Sequence, residues 1–309
     1  MALLIPVSGM GNKMSVFQRI IRFGSRASLK KIVSQLRELP LVPVSVITVI
    51  VVLAIFADVI APYSPYQISL PNRLLPPFWH EGGNSAYLLG TDLVGRDILS
   101  RIIHGTRASL TVALLALVMG GGIGAVIGLI SGYSGAKTDA FLMRAADIFI
   151  SFPVILFALL LAVAMGPSLT NVSIAIGVVL WARYARIIRG ETLSVKVRDF
   201  VAFGRIAGCS RFTIIVRHLF PNIVNTLMVL ISLQVGWVII VEAVLSFLGA
   251  GVPAPIPAWG SMVADGRDYV TDAYWLTFYP GLAIAACVLS FNLFGDWLRD
   301  TLDPKLRQV

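Results

Sequence analysis

Arg198-Asp199-Phe200-Val201-Ala202-Phe203-Gly204-Arg205-Ile206-Ala207-Gly208-Cys209-Ser210-Arg211-Phe212-Thr213-Ile214-Ile215-Val216-Arg217-His218-Leu219-Phe220-Pro221-Asn222 is the longest polar and basic interruption between two apolar spans in the second half of the chain. Apolar residues recur at Phe200, Phe203, Ile206 and Ala207, at helical spacing. Gly208 breaks this run and permits a turn. A second amphipathic piece, Phe212 to Leu219, is expected to stop at Pro221. The stretch therefore predicts a helix, a glycine turn, a short helix and a proline stop, held between membrane helices. A polar helix pair in that place has one obvious use, which is to dock on something in the aqueous phase.

Composition sets the class. Of 309 residues, 57% are hydrophobic and only 13% are charged, and mean hydropathy is +0.84. A soluble domain is about 25% charged. The chain reads as a polytopic membrane protein. Its net charge of +9 would suit nucleic acid, but the way the charges are distributed argues against that partner. Cys209 and Cys287 fall in different elements and suggest no disulfide. His80, His104 and His218 lie far apart, so no metal cluster is expected.

Three regions follow from the pattern. Residues 1–40 hold seven Lys/Arg against one acid, Glu38, and predict a basic segment at the membrane surface or a solvated tail. No small-residue cleavage site marks it as a signal peptide. Residues 41–107 hold a first span and a long Pro- and Gly-rich outer segment. Residues 108–309 hold the rest. Six spans are expected: Leu41–Ile60, Ala108–Ser131, Phe141–Met165, a short Ser168–Ala182, Ile223–Val241 and Ala273–Gly295. Each is near the ~20 residues needed to cross, except the fourth. Twenty Lys/Arg fall on one side of this arrangement and five on the other. The positive-inside rule then places both termini and 198–222 in the cytoplasm.

Several smaller signals have physical readings. Asp92 and Asp97 sit among Arg96 and Arg101, where they can pair or cap a short helix. Gly120, Gly124, Gly128 and Gly132 form a four-residue repeat on the second span, which permits close helix approach. Gly132-Tyr133-Ser134-Gly135-Ala136-Lys137-Thr138 lacks the order of a phosphate loop and reads as a plain turn. Arg144 and Asp147 share a helix face at i,i+3. Ionisable residues inside a span are functional candidates, and here the favoured reading is an ion pair that positions the helix. Pro153 should kink that span.

The 198–222 segment resembles the cytoplasmic coupling loop of bacterial ABC-importer permeases. The family pattern is Glu-Ala-Ala, three residues, Gly, nine residues, Ile, any residue, Leu-Pro. Gly208 holds the Gly position and His218-Leu219-Phe220-Pro221 the end. The Glu-Ala-Ala positions read Ala202-Phe203-Gly204, a departure; Gly204 costs a helix roughly 1 kcal/mol relative to Ala. Three further strings resemble the peptide/nickel group of this family: Gly90-Thr91-Asp92-Leu93-Val94-Gly95-Arg96-Asp97, Glu242-Ala243-Val244-Leu245-Ser246-Phe247-Leu248-Gly249 with Trp259-Gly260, and Phe291 to Lys305.

The resemblance implies an all-α, six-helix permease of the type I ABC-importer class in the bacterial inner membrane. It implies a second homologous permease, two cytoplasmic ATPase subunits and an extracytoplasmic solute-binding protein as partners, with lipid around the spans. No cofactor is expected in this chain; ATP and Mg belong to the ATPase subunits, and no covalent chemistry occurs here. Peptides are the implied cargo, with nickel chelates or another small solute as the alternative. Coupling to the ATPase is expected at Ala202, Phe203, Gly204, Arg205, Gly208, Arg211, Arg217, His218 and Pro221. Arg144, Asp147 and Glu242 are the candidates for the path or its gates. Glu242, near the outer end of its span, is expected to bond backbone groups of the Pro-rich loop after it; the alternative is contact with a peptide amino terminus. An ion-coupled secondary transporter would need buried acids at mid-membrane in broken helices, and an intramembrane enzyme would need convergent His, Asp or Ser residues.

Overall fold

The computed structural model describes residues 40–302. The basic segment expected over 1–40 therefore lies, except for its last residue, outside the described residues, as do Lys305 and Arg307 of the tail. Among the described residues the chain is helical, with one isolated bridge between Thr91 and Asp97. The elements are α1 (Leu41–Ile55), α2 (Ala57–Ile60), α3 (Ile98–Tyr133), α4 (Ala136–Ser151), α5 (Val154–Met165), α6 (Leu169–Lys196), α7 (Asp199–Ile206), α8 (Arg211–Phe247), α9 (Trp259–Gly266) and α10 (Trp275–Leu302).

Four helices, α3, α6, α8 and α10, are long and apolar enough to cross a membrane, and α4 with α5 makes a fifth candidate if that bent pair counts as one span. The first expected span is a shorter apolar helix that bends at Phe56 into α2. Two boundaries move substantially. The second expected span extends to 36 residues, roughly 54 Å at 1.5 Å per residue, and so projects beyond a hydrocarbon layer of about 30 Å. The fourth, expected to be short, continues through Arg183, Arg186 and Arg189 to Lys196. In its charged half Arg186, Arg189 and Lys196 are received by acids and carbonyls of neighbouring helices. Pro153 does more than kink its span: α4 and α5 meet at 90°.

The core forms where α3 lies along α6. A Cβ on Gly120 would stand 2.7 Å from the Gly177 carbonyl oxygen, on Gly124 2.4 Å from the Tyr184 Cβ, and on Gly128 2.6 Å from the Ala185 carbonyl oxygen. The glycine repeat is thus the seam of this pair, as small residues allow. Val112, Ala116, Val172, Ile176, Leu180, Val238, Ile239 and Leu245 bury around it and join α8 to the seam.

The outer segment is fixed by carboxylates. Asp92 accepts from the Arg96 Nε at 2.6 Å, from Arg101 at 2.8 Å, and from the Val94 and Arg96 amides. Asp97 caps α3, accepting from the Ser100 amide at 2.8 Å and the Ser100 hydroxyl at 2.6 Å. The expected pairing and cap are both present, though the capped helix is the longest spanning element but one. Burial pushes the Asp97 carboxyl above its ordinary range, against the Ser100 donors that pull it down. A folded value above the unfolded one stabilises the fold at low pH, and that contribution is lost as pH rises through the folded value. Asp97→Ala should cost about 1 kcal/mol, read as earlier thermal unfolding in detergent, while Asp97→Asn keeps most of the cap. Equal melting of the alanine variant and the parent would show that the cap does not hold this end.

Candidate functional site

The polar segment between α6 and α8 is built on a buried apolar base. Gly208 takes φ +78°, the left-handed region that glycine favours, and reverses the chain after α7. Ser210 then caps α8, its hydroxyl accepting from the Thr213 amide at 3.1 Å. Val201, Ile214 and Leu219 bury beneath the turn with Ile188, Val195 and Ile223. Gly204 is buried because the His218 ring lies above it: a Cβ there would meet the ring Nε2 at 3.5 Å. The Phe200 ring flanks the same imidazole at 6.4 Å between centroids.

Packing sends the apolar repeat outward. Phe203 is 69% exposed, Ile206 83% and Phe212 75%. Ala202, Arg205, Arg211 and Arg217 are exposed around them. The face that the spacing of Phe200, Phe203 and Ile206 defines is therefore a free surface, and α7 packs instead through Val201 and Gly204. Apolar side chains on a polar, basic turn form a surface suited to another protein.

Pro221 does not stop the second helix, contrary to its sequence reading. The chain runs on from Arg211 to Phe247. Residues Ile214–Leu219 form a π-helix, in which the Phe220 amide reaches back to the Ile215 carbonyl. In such a turn each N–H points five residues back, and the wider register eases the clash between the proline ring and the carbonyl four residues back. Pro221 is then absorbed into the first turn of the regular helix.

Long-range contacts that no local spacing announces clamp this segment to α3. Lys196 donates to the Gly132 and Tyr133 carbonyls at 3.0 and 2.9 Å. The Arg205 guanidinium lies 5.5 Å from the Tyr133 ring centroid. Gly132 and Tyr133, read from sequence as part of a turn, end α3. Asp139 on α4 receives both the Nε and terminal nitrogen of Arg189 at 2.5 Å and the Ser131 hydroxyl. These contacts tie together the end of α3, the start of α4, α6 and α7.

The other candidates fall elsewhere. Asp147 pairs with Arg186 of α6 rather than with Arg144, and Arg144 is exposed on α4. The 90° break at Pro153 turns α4 across α6, which brings Arg186 to Asp147. Glu242 is fully buried inside α8. It accepts from the Ser246 hydroxyl at 2.8 Å and the Ser109 hydroxyl at 3.4 Å, so its partners are side chains of α8 and α3 and not the backbone of the loop. The loop is reached at one remove, since the Val252 amide donates to the Ser246 oxygen at 3.3 Å. The helix outlasts the expected span end at Val241, which is why Glu242 is inside it. Arg144, Asp147 and Glu242 do not come together.

Comparison with known proteins matches this architecture. Residues 124–308 fit the family described as binding-protein-dependent transport system inner membrane component. Residues 41–77 fit the N-terminal TM domain of oligopeptide transport permease C. The dipeptide transport system permease protein DppC of Haemophilus influenzae is 41% identical over 252 residues, covering 82% of this chain and 85% of that one. The di/tripeptide transport system permease protein DppC of Pseudomonas aeruginosa is 41% identical over 254 residues, covering 82% and 84%. Among solved structures, the MetNI methionine ABC transporter in inward-facing conformations aligns with a TM-score of 0.54 at 17% identity, covering 65% of this chain and 96% of that chain. At that identity the likeness concerns the fold.

Proposed function

The chain belongs to the family of binding-protein-dependent transport system inner membrane components, and from that premise we propose that it is the peptide-translocating permease subunit of an ATP-driven importer. The observation that carries the coupling part of this reading is the outward-turned set Phe203, Ile206 and Phe212 on a segment locked to two spanning helices. The names of its relatives, dipeptide and di/tripeptide permeases, support peptides as cargo.

In this reading the chain crosses six times, with α1 and the bent α4–α5 pair joining α3, α6, α8 and α10, and both termini are cytoplasmic. Partner ATPases bind ATP and Mg; this chain holds no cofactor. ATP binding draws the ATPase pair together, and the surface around Gly208 moves with it. Because α7 is tied to the end of α3 through Tyr133, and α8 leaves the segment without a break, displacement there is transmitted to both spans. A second homologous permease supplies the other half of the path, and an extracytoplasmic binding protein delivers the solute. Transmission requires the segment to bind differently in the two ATPase states.

The test is uptake by proteoliposomes holding both permeases, the ATPases and loaded binding protein. ATP-dependent entry of labelled dialanine is expected. Entry of a nickel chelate in place of dialanine would reassign the cargo, and entry driven by an ion gradient without ATP would overturn the reading.

Orientation has its own check in the native thiols. Cys209 is half-buried beside the turn and Cys287 is buried in α10. An impermeant thiol reagent should label Cys209 in inverted vesicles stripped of ATPase, and neither cysteine in spheroplasts. Labelling of Cys209 from outside would reverse the topology.

A further inference from the structure

Helix α6 changes character along its length. In its first half Val172, Ala175, Ile176, Val179 and Leu180 are buried. From Arg183 onward one face is open, and Arg183, Ile187, Gly190 and Ser194 recur on it at helical spacing, all exposed. A Cβ on Gly190 would meet nothing within 4 Å.

Three of the four basic side chains on this helix are matched within the chain. Arg186 pairs with Asp147, Arg189 pairs with Asp139, and Lys196 caps the carbonyls that end α3. Arg183 differs. Among the described residues its contact is the ring of Trp237 on α8, with the guanidinium carbon 5.7 Å from the centroid, and neither an ion pair nor a hydrogen bond holds it. It lies about fourteen residues into α6, roughly 21 Å along the axis at 1.5 Å per residue, where the buried apolar half of the helix gives way to its charged half. Ionisable side chains in spanning helices characteristically face the interior or a water-filled cavity and meet an opposite charge, and among the described residues Arg183 has no acid of its own chain to meet. Stacking on an aromatic face leaves the planar N–H fork free, and that fork matches a carboxylate bidentately.

We propose that Arg183, steadied by Trp237, is a carboxylate-binding residue of the translocation path and takes the free carboxylate of the peptide in transit. This rests on the peptide-importer reading. The open row below Arg183 toward Ser194 is then the route by which the peptide leaves on the side where the basic segments lie.

The experiment uses the complete complex in proteoliposomes, with binding protein loaded with labelled dialanine. Arg183→Gln should lower import on the order of tenfold or more, the loss of a charge-assisted hydrogen-bonding pair. Loading of the binding protein, recovery of the partner permease and stimulated ATP hydrolysis should stay as in the parent. Arg183→Lys keeps the charge without the fork and should fall between. A second variant reads water access without any substrate: Arg183→Cys, with Cys209→Ser and Cys287→Ser, should react with a hydrophilic thiol reagent applied from the cytoplasmic side. Parental import by Arg183→Gln, or an unreactive Arg183→Cys, overturns the proposal. Loss of the partner permease from purified Arg183→Gln also overturns it, by assigning Arg183 to an ion pair between permeases. Parental complex that does not import dialanine overturns the peptide reading and with it this choice of ligand, a result distinct from failure of the variants alone.

Discussion

Serine at positions 203, 206 and 212 together is expected to abolish uptake while the permease itself stays folded. Phe203, Ile206 and Phe212 are 69%, 83% and 75% exposed, so their removal takes little from this chain's own core. Burial of each such side chain against a partner contributes about 1.5–3 kcal/mol. Losing all of them should weaken ATPase binding by at least about a hundredfold, even allowing for strong non-additivity. The measurement is ATPase recovery with the permease pair, together with uptake from the same membranes. Thermal unfolding of the permease should be unchanged. Normal ATPase recovery in the triple variant would remove the segment from the docking surface. Gly208→Val probes the same surface through the backbone. Its Cβ meets nothing within 4 Å, so any effect comes from the left-handed φ, which costs a side-chain-bearing residue roughly 1–2 kcal/mol. Asn, which tolerates that region, should restore much of the function at this position.

The second large effect is expected in the seam between α3 and α6. Leucine at Gly124 would place its Cβ 2.4 Å from the Tyr184 Cβ and 2.5 Å from the Trp181 carbonyl oxygen. Neither obstacle is the far end of a flexible side chain. The helices must separate or α6 must shift along its axis. Overpacking typically costs 1–3 kcal/mol when neighbours can yield; here backbone stands in the way, so the loss should reach or exceed about 3 kcal/mol. Gly122, two residues away on the same helix, is the control, because a Cβ there meets nothing within 4 Å. The yield of monodisperse protein from detergent should collapse for Gly124→Leu and hold for Gly122→Leu. Comparable yields from the two would mean that the seam does not organise the fold.

The membrane class, the family resemblance, the glycine repeat as a packing face, a turn at Gly208 and an acid able to cap or pair at Asp97 were legible in the sequence. These depend on composition or on interactions within a turn or two of the chain, where residue type and spacing suffice. The sequence also located the 198–222 segment, since a basic, amphipathic interruption between apolar spans is a local pattern. Only the tertiary structure decided which face of that segment is free. The same apolar spacing at Phe200, Phe203 and Ile206 is compatible with a core face, and Val201 with Gly204 took that role because the His218 ring and the α6–α8 cluster lie on their side. The charges tell the same story. Asp147 chose Arg186, 39 residues on, over Arg144 three residues back, and Asp139 met Arg189 across 50 residues. Glu242 found Ser109 across 133 residues. Such pairs follow from where a 90° break and a close glycine seam carry the helices. Burial, which decides whether a charge needs a partner, is likewise set by the packing of distant segments.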